Sequence, residues 1–215
     1  KQTFEAEVAD RTPRDSFYHC LENSAHQFHN QQEGEHYILA GYPWFKCRAR
    51  DMFIALPGLT LAIDEIDQFE DVMKTAEKAI RNFINEEPVG YKIYEMEHPD
   101  VLLWAVWALQ QYTKETSREQ CRQKYGELLK DIMVFIRQRK HDNLFLHENG
   151  LLYANGTEKA ITLMNSTVNG HPVIPRTGYI VEFNALWYNA LRFVADLVRE
   201  GGDVILADEL DAQAE

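Results

Sequence analysis

The chain has 215 residues, 22 Lys and Arg against 34 Asp and Glu, a formal net charge of -12, and 45% hydrophobic and 12% aromatic residues. That length makes one ordinary domain, and the apolar share is enough for a core, which excludes wholesale disorder. The negative charge repels phosphate backbones and anionic membrane surfaces, so neither nucleic acid nor a membrane is expected as a partner, while a neutral substrate is indifferent to it. No apolar run is long enough to span a bilayer, and the polar first residues carry no signal-peptide hydrophobic region. Three cysteines, Cys20, Cys47 and Cys121, are odd in number and far apart, so they make neither a disulfide framework nor a zinc site and fit a reducing, cytoplasmic setting.

In chain order, Thr12 as N-cap and Pro13 at the first helical position predict a helix with Phe17, Cys20, Leu21 and Phe28 on its apolar side. After Gly34 an aromatic, irregular stretch from Tyr37 to Phe45 is expected, followed by an apolar helix from Asp51 that Pro57-Gly58 kinks or breaks. Val72, Met73, Ala76, Ile80, Phe83 and Ile84 recur at helical spacing, as do the apolar residues from Val101 to Tyr112. Ser117 and Gln120 read as a capping box before a long helix with Cys121, Tyr125, Leu128, Leu129, Ile132, Phe135 and Ile136 on one face. Around Glu148-Asn149-Gly150 the pattern changes to short apolar runs, the turn chemistry of a small hairpin within 143–156. A last helix carries Phe183, Leu186, Trp187, Ala190, Leu191, Val194, Leu197 and Val198 and stops at Gly201-Gly202. The expectation is an all-α unit with that one hairpin, undivided by any linker.

Three segments between helices gather aromatic, Arg and carboxyl or amide side chains at the start of alternate helices. The first runs from Ala40 to Asp51, where Trp44 and Phe45 offer flat faces to a sugar ring and Arg50 and Asp51 supply a donor fork and an acceptor. Its bland alternative has the rings plugging the core and Arg50 with Asp51 forming a capping ion pair. The second, Tyr94 to Asp100, leads into Trp104 and Trp107; taken alone, Asp100 reads as an N-cap and the two tryptophans as core. The third runs from Thr162 through Arg176 to Glu182, Asn184 and Trp187, with Glu182 placed to answer a helix dipole. His26 and His29 share a helical face, but without a further Cys or His in register no metal site is expected.

At these residues the sequence resembles the glucosidase domain of glycogen debranching enzymes, the amylo-α-1,6-glucosidase family of bacterial and archaeal type. Gly41-Tyr-Pro-Trp-Phe, Arg50-Asp51 and Phe53-Ile-Ala-Leu-Pro-Gly-Leu59 are similar to one family signature; Pro175-Arg176-x-Gly178, Val181-Glu182 and Asn184-Ala-Leu-Trp-Tyr-Asn-Ala-Leu191 to another; Asp100 with Leu103-Trp104 to a weaker one. The resemblance, strongest from about residue 36 to 195, implies that residues 1–215 are part of an (α/α)6 toroid acting on glycogen or a branched α-glucan, with no cofactor and no metal. It implies removal of the α-1,6-linked glucose at a branch stub by inversion, which needs an acid and a base about 6.5 to 9.5 Å apart. As substrate-binding residues it implies Trp44, Arg50, Asp51, Asp100, Arg176, Glu182 and Trp187.

The chain departs from the family at the acid, where Leu163-Met164-Asn165 stands for Trp-Met-Asp; the amide of Asn165 cannot donate a proton to a leaving group, and Glu182 becomes the fallback acid. The base is expected beyond Glu215, so the isolated chain is expected to be inactive, and a broken toroid edge would favour self-association. Arg48-Ala49 stands where the family has Trp-Gly. The alternatives are a catalytically impaired glycan-binding relative and another helical-toroid glycosidase of the trehalase or glucoamylase kind.

Overall fold

The computed structural model describes residues 11–42, 44–90 and 92–215, and within them the chain forms seven α-helices and four two-stranded ladders. Pro43 of the first aromatic segment lies outside the described residues. The helices are α1 (Phe17–His26), α2 (Ala49–Leu59), α3 (Ile66–Ile84), α4 (Val101–Glu115), α5 (Arg118–Arg137), α6 (Val181–Glu200) and α7 (Val204–Ala214). Helix α4 packs between α2 and α6 to form one row; α5 lies across α3, α4 and α6 as a second layer, and α7 covers α6. The predicted apolar faces meet between the layers: Met52, Phe53 and Leu56 of α2, Val72, Met73, Ala76 and Ile80 of α3, and the whole predicted face of α5 are buried. Each such fully buried aliphatic or Phe side chain contributes about 1.5–3 kcal/mol. Among the described residues no helix is long and apolar enough to cross a membrane.

The chain is mainly helical, but its connections hold more strand than one hairpin. The expected hairpin is present as β5 (Leu144–Leu146) paired with β6 (Leu152–Ala154). A second one, β1 (His29–Gln32) with β2 (Glu35–Ile38), occupies part of the stretch expected to be irregular. Its turn residues Glu33 and Gly34 have φ of 56° and 79°, the left-handed pair of a type I′ turn, and Tyr37 and Ile38 are buried where β2 packs on α3. β3 (Cys47–Arg48) pairs in parallel with β4 (Ile93–Tyr94), tying the first aromatic segment to the second. β7 (Thr167–Val168) and β8 (His171–Pro172) form a small hairpin in the third.

Several element ends differ from expectation for identifiable reasons. Helix α1 begins after Ser16 rather than Thr12, because the Ser16 hydroxyl accepts from the His19 amide at 3.1 Å while the Thr12 carbonyl accepts from the Asn23 amide at 2.7 Å. Its expected apolar face is turned outward, with Phe17 80% and Leu21 51% exposed. Helix α2 runs through Pro57 and ends at Leu59; Thr60 Oγ1 donates to the Leu56 carbonyl at 2.5 Å, so the last turn is closed by a side chain. Ser117 caps α5 as expected, but Gln120 turns away to donate to the Tyr112 hydroxyl, leaving half of a capping box. The segment after Gly202 forms α7, held by Arg199 to Asp208 and Asp211 and by buried Ala207 and Leu210.

Candidate active site

The starts of α2, α4 and α6 each follow one of the three unusual segments, and a single buried guanidinium joins them. Arg50, in the first turn of α2, donates from Nε to Asp100 Oδ2 at 2.7 Å and from Nη2 to Asp100 Oδ1 at 2.8 Å. Nη2 also reaches His98 Nδ1 at 3.1 Å and the Ile161 carbonyl at 3.0 Å, so the second segment and the residue just before the third are fastened to the first. A planar fork suits this two-point grip on a carboxylate, and a buried charge demands that its donors be used. Burial, then the Arg50 charge, pushes His98 down to about 4, so its ring is neutral at pH 7 and Nδ1 can accept. Asp100 also accepts from Trp104 Nε1 at 3.1 Å.

This arrangement alters the expected roles of Arg50 and Asp100. Asp100 sits before α4 without capping it, and Arg50 pairs with Asp100 rather than with Asp51. Both side chains are buried and occupied by protein partners, so they hold loops in place instead of presenting groups to a sugar. Asp51 is different: it stands half-buried in the first turn of α2, and among the described residues no donor engages its carboxylate.

The third segment carries a second arginine. Arg176 Nη2 donates to Glu182 Oε1 at 2.7 Å, and Nη1 reaches Met164 Sδ at 3.2 Å, next to half-buried Asn165. Arg176 and Glu182 are thus paired at the start of α6, and Arg176 touches the side chain of the residue that precedes Asn165. Close approach of two backbones sets it up: Gly178 pairs with Ala154, and a Cβ on Gly156 would lie 2.4 Å from the Arg176 carbonyl oxygen, so only glycine fits there.

A family model described as amylo-alpha-1,6-glucosidase matches residues 21–206. The chain belongs to this family. It is therefore a glucosidase-type domain of the glycogen debranching kind. No curated protein gives a significant match.

Within this amylo-alpha-1,6-glucosidase domain, not every residue of the two long motifs faces a site. Trp187, expected to contact sugar, is 2% exposed and donates from Nε1 to the Gly150 carbonyl at 3.2 Å; it is a core residue that seats the β5–β6 turn on α6. Asn184 exchanges two hydrogen bonds with Leu152, accepting at 2.8 Å and donating at 2.9 Å, and so extends the edge of β6 as a peptide group would. Trp44 stands apart from Asn165 and Glu182, 74% exposed on a cleft of about 600 Å³ walled also by Phe45, Arg48, Tyr94 and Glu95. Arg48, in place of the family aromatic, lies over the Phe45 ring at 5.6 Å and pairs with Glu95 at 3.5 Å. His98 and Tyr94 were legible only as neighbours of Asp100; a His-Pro-Asp sequence just before an apolar helix is the signal that points to them. Among the described residues no group of three or more His, Cys, Asp or Glu side chains is placed to hold a metal ion.

Proposed function

We propose that this domain hydrolyses α-1,6-linked glucose at branch stubs of glycogen-like glucans by inversion, with α2, α4 and α6 contributing to the inner wall of an (α/α)6 toroid. The observation that carries the reading is the Arg50 node, which fastens the first signature to Asp100 of the second and to the Ile161 carbonyl at the head of the segment that leads to α6, an arrangement suited to a single reaction centre. Asp51 serves as an acceptor for substrate hydroxyls. Glu182 gives its proton to the leaving glycosidic oxygen while a base takes a proton from the attacking water, and Arg176 orients Glu182 through Oε1. The test is glucose release from phosphorylase limit dextrin by a longer protein that carries this domain together with its base: that protein is expected to release glucose and Glu182→Gln to abolish it, whereas activity undiminished in Glu182→Gln removes Glu182 as the acid.

Asn165 favours a second reading, a glycan-binding relative without hydrolysis, because an amide occupies the position of the family acid. Retained binding of malto-oligosaccharide without glucose release, together with activity restored by Asn165→Asp, would establish it.

A further inference from the structure

Three Asn-Gly pairs stand in the sequence: Asn149-Gly150 in the β5–β6 turn, Asn155-Gly156 just after β6, and Asn169-Gly170 in the β7–β8 turn. Such a pair has a chemistry of its own. With no side chain on the following residue, its backbone nitrogen can reach the asparagine side-chain carbon, provided that the nitrogen is free and the chain can turn.

Two of the three pairs are held so that this approach is blocked. The Gly150 amide donates to the His147 carbonyl at 3.1 Å, Asn149 Oδ1 accepts from the Leu151 amide at 3.1 Å, and the Gly150 carbonyl accepts from Trp187 Nε1 at 3.2 Å. The Gly156 amide donates to Thr177 Oγ1 at 3.0 Å, Asn155 Oδ1 accepts from the Thr157 amide at 3.2 Å, and the Arg176 carbonyl leaves no room beside Gly156. Asn169-Gly170 differs in each respect. Among the described residues neither the Asn169 side chain nor the Gly170 amide has a hydrogen-bond partner, and nothing lies within 4 Å of the place a Cβ would take on Gly170. The two residues form the loop between Val168 and His171, with φ of 52° and 83°, and the chain is exposed from Ser166 to His171. A ladder of two residues per strand in water opens at little cost, and opening lets the loop leave its turn geometry and bring the two reacting atoms together.

We propose that Asn169 is a site of spontaneous deamidation, which converts the tip of the β7–β8 hairpin to aspartate and isoaspartate. The Gly170 nitrogen bonds to Asn169 Cγ, the bond from Cγ to the side-chain nitrogen breaks, and that nitrogen leaves as ammonia with the proton from the Gly170 amide. The succinimide ring is then opened by water. Addition at Cγ breaks its bond to the Gly170 nitrogen and gives aspartate; addition at the Asn169 main-chain carbonyl gives isoaspartate, in which the chain runs through the side chain. One water is consumed, one ammonia is released, and nothing is oxidised or reduced. Either product adds a negative charge, and isoaspartate also adds a main-chain carbon to a two-residue loop, which breaks the Val168–His171 register in the segment joining Asn165 to Arg176.

The test holds the folded protein in mildly alkaline buffer, samples it over days and digests it for mass spectrometry, with fragment spectra assigning each exchange of ammonia for water to one position; a second series is held in urea. In the folded protein Asn169 is expected to convert about tenfold or more faster than Asn149 and Asn155, whose hydrogen bonds must open first, and urea is expected to bring the three rates to within about threefold of one another. Hydroxylamine, which cleaves at a succinimide, should cut the folded chain after Asn169. Conversion of Asn149 or Asn155 as fast as Asn169 in the folded protein, cleavage after either of them instead, or the same tenfold ranking kept in urea overturns the proposal.

Discussion

Two arginine–carboxylate pairs built from the same chemistry differ in their surroundings. In the Arg50–Asp100 pair both side chains are about 4–5% exposed, both carboxylate oxygens are engaged, and the guanidinium is shared with His98 and the Ile161 carbonyl. In the Arg176–Glu182 pair the side chains are 26% and 47% exposed, and a single carboxylate oxygen is engaged. Charges removed from water have to be satisfied entirely by the protein, so the first pair is scaffold; the second keeps an oxygen free for a ligand and costs little to rearrange. Sequence motifs mark both pairs, and burial separates them.

The largest effect that tests this contrast is removal of one member of the buried pair. Asp100→Ala strands the Arg50 charge and is expected to cost about 3–5 kcal/mol in urea unfolding. A smaller but clear loss is expected for Gly156→Ala, about 1–3 kcal/mol, since a methyl group there meets the Arg176 carbonyl and pushes away the segment carrying Arg176; glucose release should fall with it.

The buried node also predicts a pH dependence. His98 binds its proton less readily folded than unfolded, so between its ordinary value near 6.5 and about 4 the unfolded state gains a proton that the folded state does not. Stability from this group is therefore intact above about 6.5 and declines as the pH falls toward 4, by at most about 1.4 kcal/mol per pH unit, and His98→Asn should flatten that slope in denaturation measured at several pH values. The smallest stability change is expected at the exposed pair: Glu182→Gln should shift unfolding by no more than about 1 kcal/mol while abolishing hydrolysis. A Glu182→Gln variant as unstable as Asp100→Ala would erase the distinction between the two pairs.

Much of the helical framework was legible beforehand. The faces of α3, α5 and α6 follow from apolar spacing because a helix that packs on one side must repeat its buried residues every three or four positions. The hairpin at β5–β6 was legible from Asn149-Gly150, but the one at Glu33-Gly34 was not, because Gln, Glu and His in β1 and β2 hide the alternation that marks a strand. Helix α1 misled for a related reason: Phe17 and Leu21 have the right spacing, yet the segment is anchored by Asn23 to the Thr12 carbonyl and leaves those side chains outside. The site was legible as a set of residue types in three segments, two of which, Arg176 and Glu182, the fold pairs. The duties of Arg50, Asp100 and Trp187 were not, since a motif letter carries no record of solvent exposure.

By itself the sequence determined the helical character of the domain, its membership of the amylo-alpha-1,6-glucosidase family and the three segments that matter, because periodicity and motif order are properties of the chain. Tertiary structure alone decided that Arg50 closes on Asp100, 50 residues away, and on the Ile161 carbonyl, 111 away, and that Trp44 is exposed on a cleft. The physical reason is that hydrogen bonding and desolvation depend on which groups are brought within about 3 Å of one another out of water, and local sequence does not encode that meeting.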